Sequence, residues 1–277
     1  MNRKKLHLKR HAQTIIAIGA IFFIGVVLCF AFRENIRDGY EVASSVFAPN
    51  AERDFAYGER HLNASSNPQA YNLDLAEYFF WQAQKLDPMI PYLYHEIARV
   101  DFLRGNFTKA LDEINLQIEN QGDNTPNSYY VRGLIEGYMG DYTDAARDYA
   151  HFLQFDPYNW AGLNDYAWVL LKAGRSADAA AATSKGLSRF PNNPWLLNSN
   201  VIALYEIGDI KDARTQAQKA VAAVASVTTA DWLHSYPGND PAIAQEGIAS
   251  LKEAATNNMH MVDAATTSHG VQFNAQP

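Results

Sequence analysis

The residues of this sequence that could do chemistry do not assemble into a catalytic set. At His95–Arg99 the run HEIAR has the first histidine and the glutamate of an HExxH zinc helix, in which two imidazoles one turn apart hold the metal. Arg99 stands where the second ligand is required, and a cation there repels the metal. Met259, His260 and Met261 offer soft donors, but in a terminal stretch expected to be flexible. His7 and His11 lie in a basic leader and are expected to be solvated. Paired carboxylates, Asp112 with Glu113 and Asp141 with Asp144, fall at helix starts, where they cap and solubilise. There is no G-x-S-x-G elbow, P-loop or G-x-G-x-x-G, and the single cysteine, Cys29, lies in an apolar run. No catalytic residue, metal or cofactor is expected, and the chain does not read as an enzyme.

The charge is divided. Of 277 residues, the first 32 hold five cations (Arg3, Lys4, Lys5, Lys9, Arg10) and no acid, leaving eighteen basic against thirty acidic residues for the remainder. An acidic body argues against nucleic acid as a partner. Thr14 to Phe32 is nineteen residues without a charge, about the length a helix needs to cross the hydrocarbon core. An uncleaved single-pass anchor at 14–32 is therefore expected, behind a cytoplasmic leader at 1–13. A secreted product of signal cleavage is the alternative, although Cys29-Phe30-Ala31, the nearest small-x-small site, is still inside the apolar run. The five cations outweigh Arg33 and Arg37 beyond the span, so the body is expected outside the cytoplasm.

The elements that must position any site come from a repeat. Gly105, Gly140, Gly174 and Gly208 are 35, 34 and 34 residues apart, and Ala76, Ala110, Ala145, Ala179 and Ala213 keep the same step. Pro88, Pro157 and Pro191 close three of the units. Glycine after a helix takes the left-handed bend, and Asn106, Asp141 and Asp209 follow as N-caps, with Ser176 replacing Arg175 in that role. Small alanines let the second helix approach the first, and proline prevents the unit from running on. Each unit is a helical hairpin. The first is expected to begin at about Asn50 to Asn63, with Gly58 as its small residue, and to continue in a second helix from Asp74, capped by Asp74 and Glu77.

These residues, above all YYVRGLIEGYMGDYTDAARDYAHFLQFDP from Tyr129 to Pro157, resemble the tetratricopeptide repeat (TPR) family. Two departures stand out: Gly122 replaces a closing proline, and Thr183 replaces an aromatic. The expected fold is all-α, a TPR-type solenoid of about five hairpins over residues 50–225, after a linker at 33–49. A loop and an amphipathic capping helix follow at 226–257, with Ile243, Ile248 and Leu251 as its apolar residues, and then a disordered tail at 258–277.

The resemblance implies a concave groove lined by the first helices, at the second, fifth, ninth and twelfth positions of each unit. Carried over, these give Tyr92, His95, Arg99 and Phe102; Asn127, Tyr130 and Leu134, with Gly137 leaving a gap; Ala161, Asn164, Trp168 and Leu171; and Trp195, Asn198, Ile202 and Tyr205. The candidate groove residues are thus Tyr92, His95, Arg99, Asn127, Tyr130, Asn164, Trp168, Trp195, Asn198 and Tyr205, while Phe102, Leu134, Leu171 and Ile202 fit packing between units as well. Amides and aromatics suit an extended peptide. The expected function is a membrane-anchored scaffold holding a protein or peptide partner at the outer face, in a setting the resemblance suggests is the bacterial cell envelope. The alternatives are a non-catalytic subunit of an envelope enzyme complex and a binder of glycan or cell-wall polymer.

Overall fold

The computed structural model of the protein describes residues 32–273. The apolar run at 14–32 lies outside them except for Phe32, and no helix among the described residues is long and apolar enough to cross a membrane. Two compact units are present, residues 1–49 and 50–277. The first contributes helix α1 (Arg33–Phe47).

The second unit is built of five antiparallel hairpins. They are α2 (Ala51–Leu62) with α3 (Leu73–Leu86), α4 (Leu93–Leu103) with α5 (Phe107–Gln121), α6 (Asn127–Met139) with α7 (Tyr142–Phe155), α8 (Trp160–Lys172) with α9 (Ser176–Arg189), and α10 (Pro194–Glu206) with α11 (Ile210–Ala225). Gly105, Gly140, Gly174 and Gly208 occupy equivalent bends with φ of 78°, 93°, 72° and 85°, a conformation that a Cβ would strain. The repeat step is thus a backbone requirement at four corresponding places. The five alanines in the same register are fully buried.

Helices of this length are marginal alone, so stacking must hold them. Phe80, Leu93 and Val100 join the first hairpin to the second, and Ala98, Ile114 and Ile135 join the second to the third. Tyr149, Leu163, Leu170 and Leu196 form one continuous core through the remaining hairpins. Each such large side chain contributes about 1.5–3 kcal/mol. Thr183, standing in an aromatic's place, forms a buried polar pair instead: its hydroxyl donates to the Ala179 carbonyl and accepts from Asn200 Nδ2 at 2.8 Å.

Several local expectations are corrected. The N-cap of α3 is Asn72, which accepts from the Asp74 and Leu75 amides, and Asp74 and Glu77 instead bind the Arg104 guanidinium. Asn106 and Asp141 stand at N-caps without side-chain capping, whereas Asp209 caps through the Asp212 amide. Arg175, not Ser176, is the N-cap of α9, and Ser176 donates to Glu206 across to the next hairpin.

The largest difference follows the array. Residues 229–235 form α12, and α13 runs from Ala244 to Phe273, through the stretch expected to be a disordered tail. The helix continues because Val262 is fully buried against Val201, Ala213 and Ala217, and Ala255 against Leu197, Ala220 and Val224. The end of the array is capped by α13, with Leu251 against it, while Ile243 is exposed. Gly247 is needed there because a Cβ would lie 2.2 Å from the Trp232 indole nitrogen.

Candidate functional site: a strapped concave groove

The first helices α4, α6, α8 and α10 lie side by side and line a groove of about 440 Å3. Aromatic rings run along it: Phe102 and Tyr138 are 5.1 Å apart between centroids, Tyr138 and Trp168 5.5 Å, Trp160 and Trp195 5.2 Å. Trp168 takes its place because Gly137 on α6 leaves room; a Cβ there would fall 2.7 Å from the indole ring. Gly137→Ala is expected to push Trp168 along the groove and destabilise the fold by about 1–3 kcal/mol, measurable by denaturant unfolding and by tryptophan emission. An unmoved spectrum with unchanged stability would refute that account of the groove wall.

Polar groups lie between the rings. Tyr130 donates to Asp165 at 2.5 Å, Asn164 Nδ2 donates to the other Asp165 oxygen at 3.1 Å, and Ser199 donates to Asn164 Oδ1 at 2.8 Å. Asn198 accepts from Asn258 on α13 at 2.8 Å. Burial raises the Asp165 carboxyl above its ordinary value, although the bonds from Tyr130 and Asn164 hold it down in part.

One wall is supplied from beyond the repeats. The segment from Thr228 to Ile243 starts with a capping box between Thr228 and Asp231, forms α12, and passes through a turn at 236–239 and a 3-10 turn at Pro241–Ile243 as a strap along the groove. Ser235, Tyr236 and Asn239 line the groove. The strap is tied to the first hairpin by the Ala64 amide, which donates to the Pro237 carbonyl at 2.7 Å, and by the Tyr71 hydroxyl, which donates to the Gly238 carbonyl at 3.0 Å. Gly238 passes directly over Arg99, where a Cβ would meet the guanidinium at 2.9 Å. At the other end Tyr236 packs 6.1 Å from Trp195, and Trp232 and Leu233 pack with Ala64, Ala244 and Ile248. Tyr236 as a residue is 38% exposed, yet its phenol is pushed up to about 12 by desolvation in the surrounding protein and then by the charge of Asp165.

Of the residues read from the repeat register, Tyr130, Asn164, Trp168, Trp195 and Asn198 line this groove together. Asn127 lies beside it, in a smaller hollow with Trp160, His234 and Ser235. The other four lie elsewhere. Tyr92 is the N-cap of α4, in a left-handed conformation at φ 66°. His95 is buried beneath it, sharing a hydrogen bond with the Ser128 hydroxyl at 3.2 Å, so it faces the core and not the groove. Arg99 pairs with Glu96 at 2.6 Å under the strap. Tyr205 packs toward the Val201, Ala213 and Val262 cluster, which α13 covers. Sequence reading missed Asp165, Trp160, Tyr138 and the strap; the turn-rich run YPGNDP at Tyr236–Pro241 was the available signal for the last.

Five hairpins at a 34-residue step, stacked with their first helices on one concave surface, define a helical-repeat solenoid of the tetratricopeptide type. Solved structures share this fold. The crystal structure of YrrB, described as a TPR protein with an unusual peptide-binding site, aligns with a TM-score of 0.53 at 14% identity, over 70% of this chain and 95% of that one. A crystal structure of MamA aligns at 0.51 and 16% identity, over 62% and 91%. No protein-family model matches the sequence, and no curated protein matches it.

Proposed function

We propose that the chain is a membrane-anchored scaffold whose concave groove holds an extended segment of a protein partner outside the cytoplasm. The observation that carries this reading is the groove itself: a row of aromatic faces with Asn164, Asn198, Ser199 and Asp165 between them, around a volume of about 440 Å3. An asparagine amide carries donor and acceptor together, the pair a peptide backbone presents; a bound segment would exchange for the bonds that Asn164 makes with Asp165 and Ser199 and that Asn198 accepts from Asn258. The fold shared with a protein described as having a peptide-binding site supports it. The anchor rests on the apolar run at 14–32, and the orientation on the five cations before it.

A photo-crosslinking residue at Ile202, inside the groove, should capture a discrete partner in living cells, and one at Gln154, exposed on α7, should not. Trp168→Ala with Asn198→Ala should reduce recovery at least about tenfold. Equal capture from both positions would remove the groove reading. Binding of the full chain to a glycan array but to no peptide would replace the partner with a polymer.

A further inference from the structure

Asp165 is the one charged side chain among the residues that line the groove. A carboxylate offers about four acceptor sites, and Tyr130 and Asn164 take two. Among the described residues no lysine, arginine or histidine pairs with it; Arg99, the cation nearest the groove in the sequence register, is committed to Glu96. Its charge reaches four phenols, raising Tyr130, Tyr138, Tyr149 and Tyr236 further above their ordinary values than burial alone. Neutral hydrogen bonds alone therefore hold a half-buried negative charge, an arrangement that a cation entering from outside would complete.

The surrounding faces favour the same ligand. Trp168, Tyr138 and Tyr236 line the groove with Asp165, and aromatic faces attract ammonium and guanidinium groups. An acidic partner would meet repulsion from Asp165 and from the acidic body. We infer that the groove takes an extended segment carrying a lysine or arginine, whose head group pairs with Asp165 while its stem lies along the aromatic faces. This deepens the groove-binding reading above and depends on it.

The test is selection of a displayed random-peptide library on the full chain in detergent micelles. The expected result is a set of peptides sharing a lysine or arginine at one fixed position. Exchange of that residue for glutamine should weaken binding roughly 10- to 100-fold. In the Asp165→Asn variant, which keeps an acceptor for Tyr130, the same exchange should make no difference. Wild-type affinity for the basic peptide should also fall with added salt, a reading that does not need the variant to fold. Peptides selected without a basic position, or a glutamine penalty that survives in Asp165→Asn, would overturn the inference and leave groove binding standing. Failure to select any peptide would overturn both.

Discussion

Replacing Trp232 with alanine is expected to cost the fold about 3–5 kcal/mol and to release the strap. Trp232 is only 4% exposed, packs with Ala64, Leu233, Ala244 and Ile248, lies over Gly247, and meets the Tyr236 ring at a tilt with 5.1 Å between centroids. It therefore holds three things together: the loop of the first hairpin, the start of α13, and the residue that lines the groove. Of the remaining strap anchors, the two hydrogen bonds to backbone carbonyls contribute about 1 kcal/mol each, beside the packing of Leu233 and the contact of Tyr236 with Trp195, and without Trp232 they are expected to let the strap go. Denaturant unfolding measures the first effect. Limited proteolysis measures the second, as new cleavage between Tyr236 and Asn239 at denaturant concentrations where the array is still folded. A loss under about 1 kcal/mol, with the strap still protected, would show that the repeats hold it by some other means.

The second large effect is in acid. His95 is buried against Ser128, and the loss of hydration, reinforced by the Arg99 charge, pushes its imidazole down to about 3. The Glu96 carboxylate at 3.8 Å does not offset this. In the unfolded chain the same histidine titrates near 6.5. Below that value the unfolded state takes up a proton that the native state refuses, so stability is lost as pH falls from 6.5 toward 3, at a limiting slope of about 1.4 kcal/mol per pH unit. His95→Gln should remove this part of the acid response, and the difference between the two Tm profiles isolates it from the carboxylates. Parallel profiles would mean that His95 is not held neutral. Glu136 acts in the opposite sense. Its carboxyl is raised to about 7, chiefly by burial and then by Asp148, so its contribution is lost as pH rises from 4.5 toward 7. The two responses cross in mildly acidic solution.

The hairpins were legible in the sequence because their bends make a chemical demand that recurs: a left-handed residue every 34 or 35 positions, met by glycine each time. Half of the groove was legible for the same reason. Tyr130, Asn164, Trp168, Trp195 and Asn198 share a register, and a register fixes which side of a helix a residue occupies. His95 shares that register but stands where Ser128 of the next hairpin closes over it, and such covering depends on the neighbour and not on the periodicity. Tyr205 is withdrawn by α13 in the same way. Asp165 lies one place beyond the positions that the family resemblance supplies, and the strap has no second copy in the chain against which to be recognised. Helix α13 escaped notice past Asn257 because the partners of Val262 belong to α10 and α11, some fifty residues earlier.

A stack of repeats ordinarily behaves as a one-dimensional chain, fraying from either end because each unit touches only its neighbours. Tyr71 and Gly238, 167 positions apart, make this stack a closed loop. The first hairpin cannot open without breaking contacts to the strap that follows the last. Amide protons at both ends should then exchange with solvent at similar rates, through one cooperative opening, and refolding should end in a slow step as the remote contacts close.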